Sequence, residues 1–404
     1  MEGRPMTDAD VCVVGGGPAG LLLGLLFARQ GRSVVVLEKH ADFLRDFRGD
    51  TVHPSTLAVM DELGLGRRLE ELPHRKVRGL RIAFADGKYR FVNFSRLRVA
   101  HPYVMFLPQW DFLELLAREA ETYPGFTLLR SHEVVDVLRE DGRVGGVRAT
   151  GPEGDEEIHA RLTVAADGRH STVRTKLRLR PQEFGAPMDV LWFRISRQPS
   201  DGESLEGRVG AGRVLLGIDR GDYWQVAYVI PKGTYEHVVA EGIDSFRTRV
   251  AELFPELGDR VAEVGGWDDV KVLTVQVDRL RRWHVPGALL IGDAAHAMSP
   301  IGGVGINLAV QDAVAAARLL AEPLAAGRVE ETDLATVQSR RTFPTAGTQL
   351  IQRAAQRALL ERILGSEEPV KAPAPIRVLS RSPALQMLPA RLIGVGLRAE
   401  HVER

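Results

Sequence analysis

Six residues near the start of the chain, Gly15-Gly16-Gly17-Pro18-Ala19-Gly20, restrict its fold more than any other stretch. They stand between two short apolar runs, Asp10 to Val14 and Ser33 to Leu37, with a helical pattern from Leu21 to Gln30 that Gly31 ends. Strand, tight turn, helix and strand make a βαβ unit. Two nearly all-apolar strands around a crossover helix imply a parallel sheet covered on both faces, because one-sided burial would leave alternation instead. Gly15 allows the tight turn, Gly17 lets a pyrophosphate approach the backbone, and Gly20 permits close packing of helix on strand. The helix N-terminus, opened by Pro18 and Ala19, favours negative charge. Glu38 ends the second strand about 20 residues downstream, where an acid hydrogen-bonds a ribose hydroxyl, with Lys39 beside it. These residues fit NAD as well as FAD.

Two further stretches carry chemistry. In Ala165-Ala166-Asp167-Gly168-Arg169-His170-Ser171 a strand ends in a turn, and a capped helix start at Ser171 would by itself explain the pattern. In Leu289-Leu290-Ile291-Gly292-Asp293-Ala294-Ala295-His296 a carboxylate follows an apolar strand, placed to accept bonds from sugar-like hydroxyls. After Pro300, the run Gly302-Gly303-Val304-Gly305-Ile306-Asn307 is a Gly-rich turn whose amides open a long helix, suited to an electron-rich ring edge or a developing anion.

In order and rough spacing these three motifs resemble the FAD-dependent monooxygenases of the p-hydroxybenzoate hydroxylase type, over nearly the whole chain to about Leu320. The resemblance implies FAD as cofactor, with NAD(P)H and O₂ as co-substrates. It assigns Gly15, Gly17 and Gly20 to the pyrophosphate turn, Glu38 to the adenosine ribose, and Gln109 and Arg48 to the FAD sugar-phosphate and phosphate. Asp167, Gly292 and Asp293 match the second and third motifs. Pro300 matches the proline beside the flavin ring, and Gly303, Val304, Gly305, Ile306 and Asn307 the loop whose amides face the pyrimidine end of that ring. His53, His296 and Pro300 are the candidates nearest to a catalytic role, although the redox chemistry belongs to the flavin.

The expected architecture is α/β: a Rossmann-like FAD-binding domain with a parallel sheet, interleaved with a β-rich substrate domain and followed by a helical C-terminal region. The FAD-binding parts are expected at 8–76, 101–180 and 271–345. The substrate domain takes a hairpin at 77–100 and the segment 181–270, where Asp86-Gly87, Asp201-Gly202 and Arg220-Gly221-Asp222 mark turns. Residues 346–404 form the helical region, whose apolar stretch from Leu385 to Leu397 would cover the core, help to dimerise or touch a membrane. Aromatic residues of the insertion, Trp192, Phe193, Tyr223, Trp224 and Tyr228, and Met105 with Phe106, are the candidates to line the substrate pocket. Aromatics on alternating strand positions more often fill a core, and those that reach the pocket would make it apolar, suited to a flat aromatic or quinone-like molecule.

Lys plus Arg and Asp plus Glu each total 53, so no bulk charge draws the chain to nucleic acid. The lone Cys12 excludes an internal disulfide and a cysteine metal cage, and no metal is expected. Without a secretory signal pattern or a spanning run, a cytoplasmic monomer or homodimer without stable membrane insertion is expected. A related flavoprotein that reduces its substrate without inserting oxygen, and a non-redox cyclase or binding protein that retains FAD, are the competing functions.

Overall fold

A computed structural model describes residues 6–44, 51–201 and 205–402. Arg48 and Gly202 lie outside the described residues.

The opening unit is β1 (Met6–Val14), α1 (Pro18–Arg29) and β2 (Val34–Glu38). The helix starts at Pro18, ahead of the apolar run, because proline's fixed φ suits the first helical turn and its missing N–H is not needed there. All five positions of β2 are buried. Along β1, Val11 and Val13 join one apolar cluster while Cys12 and Val14 join the other, so both faces of the sheet are covered. Burial pushes the Cys12 thiol up to about 12, which leaves it a small apolar side chain.

Five parallel strands form the centre of the first sheet, in the order Ala288–Leu290, Gly154–Ala165, β1, β2 and Phe126–Arg130. Glu133–Glu140 and Arg143–Gly151 extend it antiparallel from Gly154–Ala165. Helices Gln109–Ala120 and Gly305–Leu319 pack beside α1.

A second, seven-stranded sheet runs Lys271–Leu273, Met188–Ser196, Tyr223–Pro231, Arg213–Asp219, Glu206–Gly210, Gly79–Phe84 and Gly87–Asn93. It is antiparallel except where Glu206–Gly210 lies parallel to Gly79–Phe84. Its strands alternate along the chain with those of the first sheet, which is the interleaving that the alternating sequence patterns imply. One difference concerns the boundary at 270. Val190, Leu191 and Trp192 pair with Leu273, Val272 and Lys271, so the antiparallel sheet continues past it.

The C-terminal region is helical: Glu331–Ala355 runs directly into a π-helical stretch, Gln356–Glu361, and Ala374–Arg381 and Met387–Gly394 follow. Gly394 packs on Pro54 and Phe94, where an added Cβ would come within 3.0 and 3.4 Å, so the apolar tail covers the core. Among the described residues no helix is long and apolar enough to cross a membrane.

Glu400, buried near the chain end, accepts from Arg340 at 2.7 and 2.9 Å, from Arg318 at 3.0 Å and from Arg341 at 3.3 Å. Arg341 is itself fully buried. Glu400→Ala leaves that guanidinium with one carboxylate fewer and should cost about 3–5 kcal/mol in urea unfolding. Glu71→Ala, which breaks an exposed pair with Arg67, should cost at most about 0.5 kcal/mol.

Candidate functional site

The three motifs meet at the carboxyl ends of adjacent parallel strands, where open α/β sheets bind their ligands. Gly15 N donates to Leu37 O at 2.8 Å, Ala166 N to Val14 O at 2.8 Å and Ile291 N to Ala165 O at 3.0 Å, so the strand ends are tied in register. A Cβ on Gly15 would lie 2.6 Å from Ala166 O, and one on Gly20 would lie 1.9 Å from Gly15 O. Those two glycines let the first motif close on itself and on the second. Gly17 differs: its backbone is extended at φ −80° and nothing lies within 4 Å of an added Cβ, so it fronts open space at the N-terminus of α1.

Glu38 is buried, its Oε2 accepting from Gly16 N at 3.0 Å and its Oε1 from His40 N at 3.0 Å. Lys39 beside it is exposed. Asp167 accepts from Val173 N at 3.3 Å through Oδ2, while its Oδ1 is buried with no partner. Burial pushes this carboxyl up, against the pull of Ser171 and the Val173 amide. Arg169 Nη2 donates to Asp293 Oδ2 at 3.4 Å, which joins the second motif to the third. An open glycine cradle at a helix N-terminus accepts a phosphate, and an orphaned carboxylate oxygen accepts from a hydroxyl. FAD presents both groups, and the residues present fit it. Gln109 stands at the start of its helix, half-buried.

The loop after Pro300 is pinned from below. Gly303 has φ +64°, and a Cβ there would meet Thr51 Oγ1 at 2.6 Å. Its carbonyl accepts from Thr51 Oγ1 at 2.9 Å and lies 3.0 Å from His53 Nε2. Val304 is buried, Ile306 half-buried, and Gly305, which opens the long helix, faces open space. The Asn307 amide oxygen is committed inward, accepting from Ser55 at 2.8 Å and Thr56 at 2.7 Å. That oxygen therefore anchors the loop.

Both histidines are held within the protein. His53 is fully buried, with Nδ1 2.8 Å from Ile393 O and Nε2 3.0 Å from Gly303 O. A neutral ring donates to only one of these carbonyls, yet burial outweighs both contacts and pushes its pKa down to about 4. His296 donates to Asp312 Oδ2 at 2.6 Å and packs against Trp283 with ring centres 4.8 Å apart and planes tilted by 43°. Each ring thus supports the loop or strand behind the cofactor region.

The aromatic expectation divides by face. Phe193, Trp224 and Tyr228 pack with Phe246 and Val250 of the helix Ile243–Leu253, so they belong to that core and do not line a pocket. Strand alternation decides this: Trp192 and Tyr223 point to the opposite face. Tyr223 lies at the strand's outer end with Arg194 over its ring at 4.8 Å, and Trp192 packs with clusters that include Phe106, Ile301 and Ile393. The same alternation corrects Met105, which faces the core beneath the first sheet while Val104 and Phe106 face the second.

Sequence reasoning missed Thr51, Ser55 and Thr56, which follow the undescribed residues and carry no motif. It also missed Asp312, which stood in view as the one carboxylate between Ala309 and Leu320.

Comparison with known proteins agrees with this arrangement. Residues 8–354 match the FAD binding domain family. The 6-methylpretetramide 4-monooxygenase of Streptomyces rimosus is 33% identical over 403 residues, 97% of this chain and 95% of that protein. The protoasukamycin 4-monooxygenase of Streptomyces nodosus subsp. asukaensis is 31% identical over 79% of this chain and 81% of its own length. The solved structure of OxyS anhydrotetracycline hydroxylase from Streptomyces rimosus superposes with a TM-score of 0.74 at 27% identity, covering 96% of this chain and 76% of that one.

Two outcomes follow. Gly17→Val should leave the apoprotein's melting temperature unchanged and weaken FAD binding at least about tenfold in a flavin fluorescence titration, whereas Gly20→Ala should lower both. For His53, the unfolded chain takes up its proton near the ordinary histidine value of 6.5 and the folded chain only near 4, so in that window the unfolded state binds more protons and stability falls as pH is lowered. His53→Gln should lessen the drop in urea midpoint between pH 7 and pH 5, and an identical drop in both proteins would refute the assignment.

Proposed function

Because this chain belongs to the FAD-dependent aromatic monooxygenases, we propose that it uses NAD(P)H and O₂ to place one oxygen atom on a multi-ring aromatic polyketide. The observation that carries the substrate class is the 33% identity to the 6-methylpretetramide 4-monooxygenase across almost the full length of both chains. FAD, when bound, supplies the electron transfer and oxygen activation that no side chain can.

The chain's own residues would bind and orient. Gly15, Gly17, Gly20 and Glu38 would hold the ADP half, Gln109 and Arg48 the sugar-phosphate, and Asp167 and Asp293 the hydroxyl-bearing middle. Pro300 and the loop to Asn307 would border the ring. Fixed amide dipoles there offset negative charge without reorganisation when it forms. On the substrate side, the sheet face that bears Trp192, with Phe106 and Ile301 on neighbouring elements, is largely apolar and would exclude water. The Trp192 Nε1 is buried without a hydrogen-bond partner, which favours a flat substrate that brings an oxygen acceptor to it. Tyr223, at the outer end of that face, would border the entrance.

The test is turnover of polycyclic phenols of this class with NAD(P)H under ¹⁸O₂. The expected result is one ¹⁸O atom in the product per NAD(P)H consumed, and no product anaerobically. Product formed without O₂ would transfer the chain to the reductase alternative, and product formed equally with a redox-inert flavin analogue to the non-redox one.

A further inference from the structure

The segment Ala297–Ile301, which leads to the flavin loop, has little regular backbone pairing, yet its polar groups are buried. Asp278 bonds both Ala297 N and Ala297 O, and Ser299 Oγ accepts from Ile301 N. The segment's other side-chain hydrogen bonds come from one face of the long helix Glu331–Ala355 and its continuation. Gln349 Nε2 donates to Ala297 O at 3.0 Å and to Asp278 O at 2.7 Å. Gln352 Nε2 donates to Ser299 O at 3.0 Å and Ile301 O at 2.8 Å, while its Oε1 accepts from Ser299 N at 3.3 Å. Gln356 Nε2 donates to Ser299 Oγ at 2.8 Å. Spacings of three and four residues put the three amides on one helix face, and their exposures are only 1%, 5% and 2%.

Their placement has one focus. Pro300 has no N–H with which to anchor itself, and Gln352 grips the residues on both sides of it. At Gln356 the helix widens into the π-helical stretch Gln356–Glu361, whose Leu360 packs with Met188, Val190 and Leu273 on the Trp192 face of the antiparallel sheet. One continuous helix therefore holds the segment before the flavin loop with amides and meets the substrate-side sheet with apolar side chains. Three buried glutamines are a costly way to fill a helix face if packing alone were needed, because each amide must find partners.

We propose that Gln349, Gln352 and Gln356 are positioning residues that set where Ser299–Ile301, and Pro300 with it, stands against the flavin. The inference rests on the reading above that this segment borders FAD. It makes the environment of the bound flavin depend on the ladder separately from the stability of the fold.

The experiment compares the holoprotein with Gln352→Met and, as control, Gln338→Met. Gln338 lies on the same helix but bonds Trp283 N and Arg281 O, away from the loop. FAD affinity by fluorescence titration, the visible circular dichroism of bound FAD, and the melting temperature of the apoprotein are measured for each. Gln352→Met should weaken FAD binding about tenfold and alter the flavin's dichroism, whereas Gln338→Met should leave both within about twofold of the unmodified protein even if its melting temperature falls as far. Should Gln352→Met not fold, Gln356→Met, which removes the single bond to Ser299 Oγ, takes its place with the same expectations. Unchanged FAD affinity and dichroism in the ladder variant would overturn the proposal, as would equal changes in the control. An unmodified protein that binds no FAD would instead overturn the functional reading, an outcome seen before any variant is compared.

Discussion

The third motif, Gly292 to His296, depends on one buried carboxylate. Asp312, on the helix opened by Gly305, accepts from Gly292 N at 3.0 Å, His296 Nε2 at 2.6 Å and Arg341 Nε at 2.8 Å. Burial alone would push its pKa up, but His296 and Arg341 reverse that and hold it below the ordinary carboxylate range. The charge is therefore kept, and with it the link between the third motif, the helix behind it and the C-terminal helices. Arg341 passes the link to Glu400, so residues near the end of the chain help to set the backbone of Gly292. Such an array stabilises only when every member is present, which makes the third motif sensitive to positions remote from it in sequence.

The two sheets divide the labour along the same lines. The parallel sheet supplies the open strand ends and helix N-terminus that dinucleotides need, and its two apolar layers keep those ends fixed. The antiparallel sheet has one face filled by its own helix and leaves the other to the region between the sheets. His53 lies between the carbonyls of Gly303 and Ile393, and Ser55 between the Asn307 amide oxygen and the Gly394 carbonyl, so the C-terminal helix Met387–Gly394 is tied to the loop after Pro300.

What the sequence disclosed follows from how local each signal is. The βαβ unit and its glycines were legible because turn, cradle and packing contact all fall within about 25 residues and each has its own steric demand. The interleaving of the sheets was legible because hydrophobic runs gave way to alternating strands. The pocket face was not. Trp192 and Phe193 are neighbours in sequence, and only the packing of Ile243–Leu253 on one side decides which of them belongs to a core. Met105 and Phe106 present the same ambiguity with the opposite outcome. Asn307 falls in the first turn of the helix Gly305–Leu319, and the inward turn of its amide depends on Ser55 and Thr56, about 250 residues away along the chain.

The hydroxyls of Thr163 and Thr345 are, like Trp192 Nε1, buried side-chain atoms with no partner, and of these three residues only Trp192 lies on the antiparallel sheet. Arg341 and Gln311 each leave one nitrogen unpaired, yet Arg341 bonds through its other nitrogens and Gln311 through its oxygen. His296 likewise leaves Nδ1 free while Nε2 is engaged. An indole has a single donor and no second chance, so the Trp192 Nε1 is wholly unsatisfied in the protein by itself. Such an atom is a cost that folding alone does not offset, and it lies on the face left uncovered by the sheet's own helix. Asp167 Oδ1 is the matching case at the end of a parallel strand, a buried acceptor without a partner. A donor left open on one sheet and an acceptor on the other are the demands that the two different molecules of the proposed function would meet.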